Sequence, residues 1–225
     1  MAGTANQQLI GAVIFDLDGV LIDSEQVWDE VRERLTGELG GTWHEGATRD
    51  MMGMSAPEWS AYMHDELGVP LDPDEISDRV VEAVEASYRD TLPLIDGAVA
   101  AVERLGARWP LGLASSANRP IIDLVLGLAD LSDRFAATVS SEEVERGKPA
   151  PDVYLEAAGR LDVAPADCAA VEDSSNGLRS AAAAGMCVIA VPNYAFPPDE
   201  EAMALASATV AELDELTPEV IEGCR

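Results

Sequence analysis

Two aspartates follow a short apolar run near the start of the chain. Residues 12–15 (AVIF) carry no charge, and Asp16, Asp18 and Gly19 come directly after them. A buried strand that ends in carboxylates places these groups at the carboxyl end of a sheet, where open α/β folds bind ligands. Crowded carboxylates are normally stabilised by a cation, and an all-oxygen ligand set favours Mg²⁺. The alternative is that both aspartates only open a turn at Gly19.

Three further polar sites follow later apolar runs. Ser115 lies in a turn of small residues before a helical segment, where a hydroxyl and backbone N–H groups can hold phosphate oxygens. Lys148 is the only lysine of the chain, and Glu172 and Asp173 end a second strand-like run. Each site also has an alternative explanation. Ser115 can cap a helix, the two acids can cap the helix that begins near Ser175, and a lone lysine can be an accident of a composition that prefers arginine.

The elements that must position these residues alternate along the chain. Apolar runs typical of short buried strands lie at 12–15, 111–114, 136–139, 169–171 and 188–191. Segments with helical patterns lie between them at 98–105, 120–128, 151–161 and 176–184. This alternation predicts an α/β fold with a doubly wound parallel sheet covered by helices on both faces. The polar sites would then converge at one edge of the sheet.

The segment 24–91 breaks this alternation and reads as an insert. It contains no strand-like run, and apolar residues recur every four positions in two stretches, Val27 to Leu39 and Ile76 to Tyr88. Between the two stretches, residues 55–58 (SAPE) have the form of a capping box. We therefore predict a helical domain at 24–91 inserted into a core of residues 1–23 and 92–225. Its 17 acidic and 5 basic residues are expected to form a solvated outer face.

The composition excludes several classes of partner. The chain has a formal net charge of −28 and a sequence pI near 4.1, so it lacks the basic patches that bind nucleic acid or anionic membrane surfaces. Its three cysteines form no CxxC pair, which favours a reducing cytosol over a disulfide framework. Residues 1–15 lack the positive start of a secretory signal. We expect a cytoplasmic protein that is a monomer or a weak homodimer.

The motifs, taken together, point to one family. Asp16-Leu17-Asp18-Gly19, Ser115, Lys148 and Glu172-Asp173 resemble, in this order and at these intervals, the four motifs of the haloacid dehalogenase-like hydrolase superfamily. The resemblance covers nearly the whole chain and implies a Rossmann-like core, with 24–91 as the helical cap of subfamily I. The motifs look most like those of sugar-phosphate phosphatases, of the 2-deoxyglucose-6-phosphate and hexitol phosphatase kind, and of β-phosphoglucomutase-like members.

The resemblance implies a role for each acid. Asp16 would attack phosphorus and form an aspartyl-phosphate, and Asp18 would protonate the leaving oxygen and later deprotonate water. The Asp16 and Asp173 carboxylates and the Asp18 carbonyl would hold Mg²⁺. Glu172 would support the ion directly or through water. The partner implied is a phosphorylated small molecule.

The remaining motif residues would bind the phosphate. Ser115 and Lys148 would contact the phosphoryl oxygens, and Ser116 and Asn118 lie in the same turn as Ser115. In a loose transition state, catalysis is mostly positioning and charge neutralisation, so one Mg²⁺ and one ammonium group match the task.

Several branches of chemistry are disfavoured by what the sequence lacks. Dehalogenases of this superfamily lack the second aspartate of the first motif, which is present here as Asp18. Phosphonate-cleaving members need a cap lysine, and 24–91 contains none. A Ser-His-Asp hydrolase would need a histidine near Ser115, but His44 and His64 lie in the insert and are expected to be ordinary polar positions.

Two alternatives stay open. Phosphoglucomutase-like caps present a histidine and a basic residue at positions that correspond here to Trp28 and Ala56, so hydrolysis is favoured over a mutase reaction. A catalytically idle fold used as a binding module is the alternative of another class, although the complete motif set argues against it. Five cap residues are predicted to face the substrate: Glu25, Trp28, Met51, Met54 and Ser55.

Overall fold

The computed structural model describes residues 9–51, 54–193 and 197–224, and within them the chain forms one six-stranded sheet. The strands are β1 Ala12–Phe15, β2 Leu111–Ser115, β3 Ala137–Ser140, β4 Cys168–Glu172, β5 Cys187–Ala190 and β6 Ala208–Thr209. All neighbours pair in parallel, in the order β3-β2-β1-β4-β5-β6. The predicted doubly wound parallel sheet is confirmed. β6 was not predicted, because two residues are too few to show a period.

Ten α-helices lie within the described residues. They are α1 Glu25–Glu38, α2 Ala47–Met51, α3 Ala56–Asp65, α4 Pro73–Asp90, α5 Ala98–Gly106, α6 Arg119–Leu128, α7 Asp152–Arg160, α8 Ser175–Ala183, α9 Glu200–Met203 and α10 Pro218–Gly223. The four helices predicted between the strands correspond to α5, α6, α7 and α8. Each agrees with its predicted bounds to within one residue at either end.

The sheet is buried on both faces, as its continuous apolar strands predict. Side chains alternate along β1, so Val13 and Phe15 belong to one hydrophobic cluster and Ala12 and Ile14 to another. Helices α5 and α6 pack into the first cluster, whereas α7 and α8 pack into the second. This double cover holds the strand ends in a fixed register, with Phe15 of β1 opposite Val171 of β4.

Helices α1 to α4 form the insert between β1 and β2. Its interior includes the α4 stripe of Ile76, Val80, Val84 and Tyr88, all of which are buried as the four-residue period predicts. At the start of α3, the backbone N–H of Ser55 donates to the carboxylate of Glu58 at 2.7 Å, which confirms the capping box. The division into a cap at 24–91 and a core of the remaining residues stays a prediction.

The two chain connections between the insert and the core run side by side. The N–H of Asp23 donates to the carbonyl of Pro93 at 2.8 Å, and the N–H of Ile95 donates to that of Leu21 at 3.0 Å. Ile22 also forms an antiparallel bridge with Leu94. Because this pairing starts a few residues after β1, the insert sits over the carboxyl edge of the sheet.

The cysteines correct one expectation. Cys187 at the start of β5 and Cys224 after α10 form a disulfide with their Cα atoms 5.8 Å apart, and Cys168 is free and buried. The expectation that the cysteines stay unpaired is therefore wrong. The approach of two residues 37 positions apart depends on how the carboxyl-terminal helix returns to the sheet, which no local spacing shows. Among the described helices, none has the length and apolar character required to cross a bilayer.

Candidate active site

Three carboxylates meet where β1 and β4 end. Each of Asp16, Glu172 and Asp173 is buried and has an oxygen within 4.8 Å of an oxygen of the others. Asp16 follows β1 and Glu172 is the last residue of β4, so two adjacent strands deliver the three groups. The Asp16 N–H donates to the Val171 carbonyl at 3.0 Å, which continues the ladder to the site. The sequence prediction that these acids converge agrees with this geometry.

Lys148, the only lysine of the chain, lies among these acids. Its Nζ lies 2.8 Å from Oδ1 of Asp16 and 2.5 Å from Oε1 of Glu172, and its side chain is only 4% exposed. The two carboxylates raise the pKa of the Lys148 ammonium above its ordinary value, against the opposing effect of burial. The peptide bond between Lys148 and Pro149 is cis. Lys148 is therefore a fixed positive charge beside Asp16.

Glu172 is held by protein donors on both of its oxygens. Oε1 accepts from Lys148 and from the hydroxyl of Tyr154 at 2.9 Å. Oε2 accepts from the N–H of Asp173 at 3.1 Å and from the N–H and hydroxyl of Ser174 at 3.3 and 3.2 Å. A methyl group on Gly177 would overlap this carboxylate, so the first turn of α8 packs directly against it. Glu172 thus anchors Lys148 and the chain that carries Asp173.

The acid cluster fits a divalent cation with oxygen ligands. Burial, followed by repulsion from Glu172, raises the pKa of Asp16 and of Asp173 well above the usual aspartate value. Oδ1 of Asp16 is buried and makes no hydrogen bond, although it is ion-paired with Lys148. One ammonium cannot neutralise three carboxylates, and hard oxygen donors suit Mg²⁺.

Gly19 lets the first loop approach this cluster. Its φ is +75°, and a methyl group on it would overlap the Asp173 carboxylate. Glycine adopts this left-handed conformation without strain and leaves space for the carboxylate. The loop backbone that follows Asp18 therefore lies against Asp173.

Asp18 faces the same pocket from this loop. Its Oδ1 accepts a hydrogen bond from the Ser24 hydroxyl at 2.5 Å, and its Oδ2 lies 3.5 Å from the Ser115 hydroxyl. Burial raises the pKa of Asp18, although hydrogen bonding from Ser24 opposes the change. A carboxyl group with a raised pKa, held by two hydroxyls at the pocket, is suited to give and take a proton.

The loop after β2 forms another wall of the pocket. Ser116, Ala117 and Asn118 line it, whereas Ser115 is fully buried and its hydroxyl accepts from the N–H of Ala117 at 2.9 Å. The Asn118 amide donates to Oε1 of Glu142 at 2.6 Å, which fixes its side chain. The structure thus places Ser116 and Asn118 at the surface of the pocket and Ser115 behind them, near Asp18.

Four of the five predicted cap residues line the pocket, namely Glu25, Trp28, Met51 and Met54. Ser55 instead lines an adjoining groove, which shares Ser116 and Asn118 with the pocket. Sequence reasoning missed three residues of 24–91 that line it, namely Ser24, Arg32 and Trp59. Arg32 could have been found, because it lies one helical turn after Trp28 on α1 and so shares its face.

The two histidines make local contacts in the insert. Nε2 of His44 lies 3.0 Å from the Tyr62 hydroxyl, and Nδ1 of His64 lies 2.7 Å from the carbonyl of Leu71. Among the described residues that line the pocket there is no histidine. This arrangement agrees with the expectation that both histidines are ordinary polar positions.

Curated relatives extend over almost the whole chain. The profile of the haloacid dehalogenase-like hydrolases matches residues 10–185. Hexitol phosphatase B of Escherichia coli strain K12 is 34% identical over 218 residues, which cover 94% of this chain and 96% of that protein. Fructose-1-phosphate phosphatase of the same strain is 33% identical, over 80% of this chain and 95% of its own.

Solved structures agree with this assignment. CbbY from Rhodobacter sphaeroides, solved in complex with phosphate, is 26% identical and superposes with a TM-score of 0.82 over 92% of this chain and 96% of its own. β-Phosphoglucomutase from Clostridium difficile has a TM-score of 0.80 at 22% identity, over 95% and 96% of the two chains, and shows the shared fold. The chain belongs to the haloacid dehalogenase-like hydrolases and is an enzyme of the phosphatase type.

Proposed function

We propose that this enzyme is a Mg²⁺-dependent phosphatase that hydrolyses a small sugar phosphate or sugar-alcohol phosphate through an aspartyl-phosphate. The observation that carries the proposal is the buried cluster of Asp16, Asp173 and Lys148 on the floor of a pocket roofed by the insert. The relatives named hexitol phosphatase and fructose-1-phosphate phosphatase support the substrate class.

In the first step, a carboxylate oxygen of Asp16 attacks the phosphorus of the bound monoester. The bond between phosphorus and the ester oxygen breaks, and the electron pair leaves with that oxygen. Asp18 gives its proton to the leaving oxygen, so the sugar or polyol departs as a neutral alcohol. Asp16 now carries the phosphoryl group, and Asp18 is ionised.

In the second step, water attacks the phosphorus of the aspartyl-phosphate. Asp18 accepts the proton of that water, and the bond between phosphorus and Asp16 breaks. Inorganic phosphate leaves, the Asp16 carboxylate is restored, and Asp18 is again protonated. The raised pKa of Asp18 suits this exchange, because its carboxyl group must exist in both forms during one turnover.

The remaining floor residues neutralise and orient the phosphoryl group. When bound, Mg²⁺ supplies positive charge to the phosphoryl oxygens, and the Asp16 and Asp173 carboxylates with the Asp18 carbonyl would hold it. Glu172 supports the site from behind, because its own oxygens already accept from protein donors. Lys148 supplies a second positive charge beside Asp16.

Phosphate release from a panel of esters tests the proposal. The panel contains hexose phosphates, hexitol phosphates, phosphoglycolate, a nucleotide and p-nitrophenyl phosphate, each assayed with Mg²⁺ and with EDTA. We expect Mg²⁺-dependent release, fastest with a sugar or hexitol phosphate. No release from any ester in the presence of Mg²⁺ would support a binding module, and release undiminished by EDTA would refute the metal requirement.

A mutase activity is tested in the same preparation. β-Glucose 1-phosphate is supplied, and both glucose 6-phosphate and inorganic phosphate are followed. Trp28 lines the pocket at the position where the mutase pattern has a histidine, so we expect inorganic phosphate to form faster. Formation of glucose 6-phosphate ahead of inorganic phosphate would assign a mutase reaction.

A further inference from the structure

The cap side of the pocket contains a cation, Arg32, that makes no hydrogen bond to any other described residue. Arg32 on α1 is half-buried and lines the pocket, and its Nε is buried without a hydrogen-bond partner. Across the described parts of the chain, no ion pair within 4.0 Å involves Arg32. A guanidinium group carries five N–H donors, and leaving donors unpaired in a partly desolvated site is unfavourable. The N–H groups of its terminal nitrogens, which pair with no other described residue, are therefore available to a ligand.

Two indole rings hold this guanidinium in place. Cζ of Arg32 lies 5.0 Å from the ring centroid of Trp28 and 5.1 Å from that of Trp59. The two centroids are 6.1 Å apart, and the ring planes are inclined by 61°. Cation–π contacts attract the positive charge without using the N–H donors. The two tryptophans thus position Arg32 and leave its hydrogen-bonding capacity free.

The charge of Arg32 is compensated by nearby acids. The carboxylates of Glu25, Asp29 and Asp18 act on it and raise its pKa, whereas burial is the larger effect and lowers that pKa to about 10. Arg32 therefore stays protonated at neutral pH. Glu25 lines the same pocket, so the cap side presents one cation beside one acid. Such a pair has no excess positive charge to hold a second phosphate or a carboxylate.

The chemistry that fits this pair is a chain of hydroxyl groups. A hydroxyl oxygen accepts from guanidinium N–H, and its own hydrogen is donated to a carboxylate oxygen. The exposed part of Trp28 and the thioether of Met54, which line the same pocket, can cover the C–H surface of the same chain. A second anionic group would share the pocket with Glu25 and would lose its hydration without full compensation.

We propose that Arg32, held between Trp28 and Trp59, is a specificity-determining residue that binds, together with Glu25, the hydroxyl groups of an uncharged polyol or sugar chain. This role of Arg32 rests on the proposed phosphatase function and narrows the class of substrate. The preferred substrates are monophosphates of polyhydroxy compounds. Sugar bisphosphates and phosphorylated carboxylic acids are discriminated against.

The test compares Arg32→Met with Arg34→Met. Arg34 is a matched control, because it lies on the same helix but its side chain is 51% exposed and pairs with Glu38 at 3.1 Å. The measurement is the ratio of kcat/KM for a hexitol monophosphate to kcat/KM for p-nitrophenyl phosphate, which lacks hydroxyl groups. We expect Arg32→Met to lower the ratio by roughly 10- to 100-fold, mainly through KM, and Arg34→Met to leave it unchanged.

Substrates with a second anionic group test the opposite possibility, that Arg32 binds an anion. Fructose 1,6-bisphosphate and phosphoglycolate are assayed with the wild-type enzyme and with Arg32→Met. If either one is the better wild-type substrate and loses the most activity in Arg32→Met, Arg32 binds an anion and the proposal is wrong. An equal loss with the hexitol monophosphate and p-nitrophenyl phosphate would also refute it, because Arg32 would then act without regard to hydroxyl groups.

Direct binding separates this proposal from the proposed function. Indole fluorescence is titrated with a hexitol monophosphate without Mg²⁺, so the readout does not require turnover. If no ester is hydrolysed but Arg32→Met binds the hexitol phosphate about tenfold more weakly, the proposed function fails and the subsite stands. Equal binding by both proteins refutes the subsite.

Arg32→Lys keeps a charge between the rings and supplies a folded comparison if the methionine variant unfolds. Equal binding of the hexitol phosphate by the wild type and Arg32→Lys refutes the need for a guanidinium.

Discussion

The floor and the cap side of the pocket are built by different physical means. On the floor, Asp16 and Glu172 lie at the ends of adjacent strands, and the Nζ of Lys148, in the loop before α7, lies 2.8 Å from Asp16 and 2.5 Å from Glu172; all three side chains are buried. On the cap side, Arg32 lies over the rings of two tryptophans, and its buried Nε has no hydrogen-bond partner. On the floor, the Lys148 ammonium neutralises part of the charge of the carboxylates. On the cap side, the guanidinium of Arg32 still has N–H donors that a ligand can use.

This difference separates the two tasks of the enzyme. Groups that must meet a phosphoryl transition state benefit from rigid placement before substrate arrives, and a doubly covered sheet supplies it. Groups that select the rest of the substrate need donors that only the correct ligand satisfies. Changes on the floor should therefore reduce kcat or the affinity for metal, and changes on the cap side should act mainly through KM.

The largest expected effect follows from removing the proposed nucleophile. Asp16→Asn keeps the size of the side chain but removes the carboxylate proposed to attack phosphorus. We expect kcat to fall by at least about 10⁴-fold. Phosphate release is the assay, and far-UV circular dichroism confirms the fold. Turnover within tenfold of the wild type would show that Asp16 is not the nucleophile.

Removal of Lys148, the cation on the pocket floor, should have the next largest effect, which is a loss of stability. Lys148→Met leaves Asp16 and Glu172 buried without their ammonium partner, and breaking such a buried pair costs about 3–5 kcal/mol. Urea unfolding in EDTA measures the loss. Arg146→Met is the matched control, because Arg146 pairs with Asp152 at 3.0 Å with its side chain 65% exposed, and exposed pairs contribute about 0–1 kcal/mol. Equal losses in the two variants would contradict the view that the floor depends on Lys148.

The close approach at Gly19 can be tested with a second glycine. Gly19→Ala places a methyl group against Asp173 and should raise the Mg²⁺ concentration for half-maximal activity by about 10-fold or more. Gly185→Ala carries the same backbone strain, since Gly185 has a φ of +79°, but a methyl group there meets no atom within 4 Å. The backbone strain should cost each variant about 1–2 kcal/mol of stability, and Gly19→Ala should lose more because its methyl group also overlaps Asp173. A Mg²⁺ requirement shifted equally in both would show that strain alone is responsible.

Stability without metal should depend on pH in a defined direction. Burial and mutual repulsion raise the pKa of Asp16 and Asp173, so the folded protein binds these protons more tightly than the unfolded chain does. Their contribution favours folding below the ordinary aspartate pKa near 4 and is lost as pH rises through the raised values. The gain in Tm from Mg²⁺ over EDTA should therefore be larger at pH 8 than at pH 5. Equal gains at the two pH values would contradict this linkage.

The smallest expected effect lies on the cap side. Met54→Ala removes apolar surface from the pocket, and Met54 takes no part in the ion pairs of the floor. We expect KM for a hexitol phosphate to rise about 3- to 10-fold, with kcat changed less than KM. Steady-state kinetics measure both constants. A fall confined to kcat would mean that the cap side also positions the reacting groups.

Most of the core could be predicted because its signals are local. Apolar runs such as 12–15 end in polar residues, and the strands they form deliver Asp16 and Glu172 to the same edge. The capping box at Ser55 and the four-residue stripe of α4 are likewise local patterns. The two-residue strand β6 falls below the length at which any period is visible.

The residues that line the cap side of the pocket could be predicted only in part. Trp28 and Met54 were placed correctly at the pocket, whereas Ser55 lies in the adjoining groove and Arg32 was missed. Which side of a helix faces a neighbour depends on how α1 and α3 cross, and Trp28 and Trp59 meet across that crossing. The Cys187–Cys224 disulfide was missed for a similar reason, since it joins two elements that are distant in sequence.

The sequence by itself determined the alternation of the first five strands with the core helices, the motif acids at strand ends and the family to which the chain belongs. Only the tertiary structure decided that Glu172 is engaged by protein donors on both oxygens, that Ser115 lies behind the pocket wall, and that Arg32 keeps free donors beside it. The physical reason is the separation along the chain over which each kind of interaction acts. Backbone periodicity and capping act within one or two turns, whereas donor satisfaction and ring contacts depend on side chains brought together by packing.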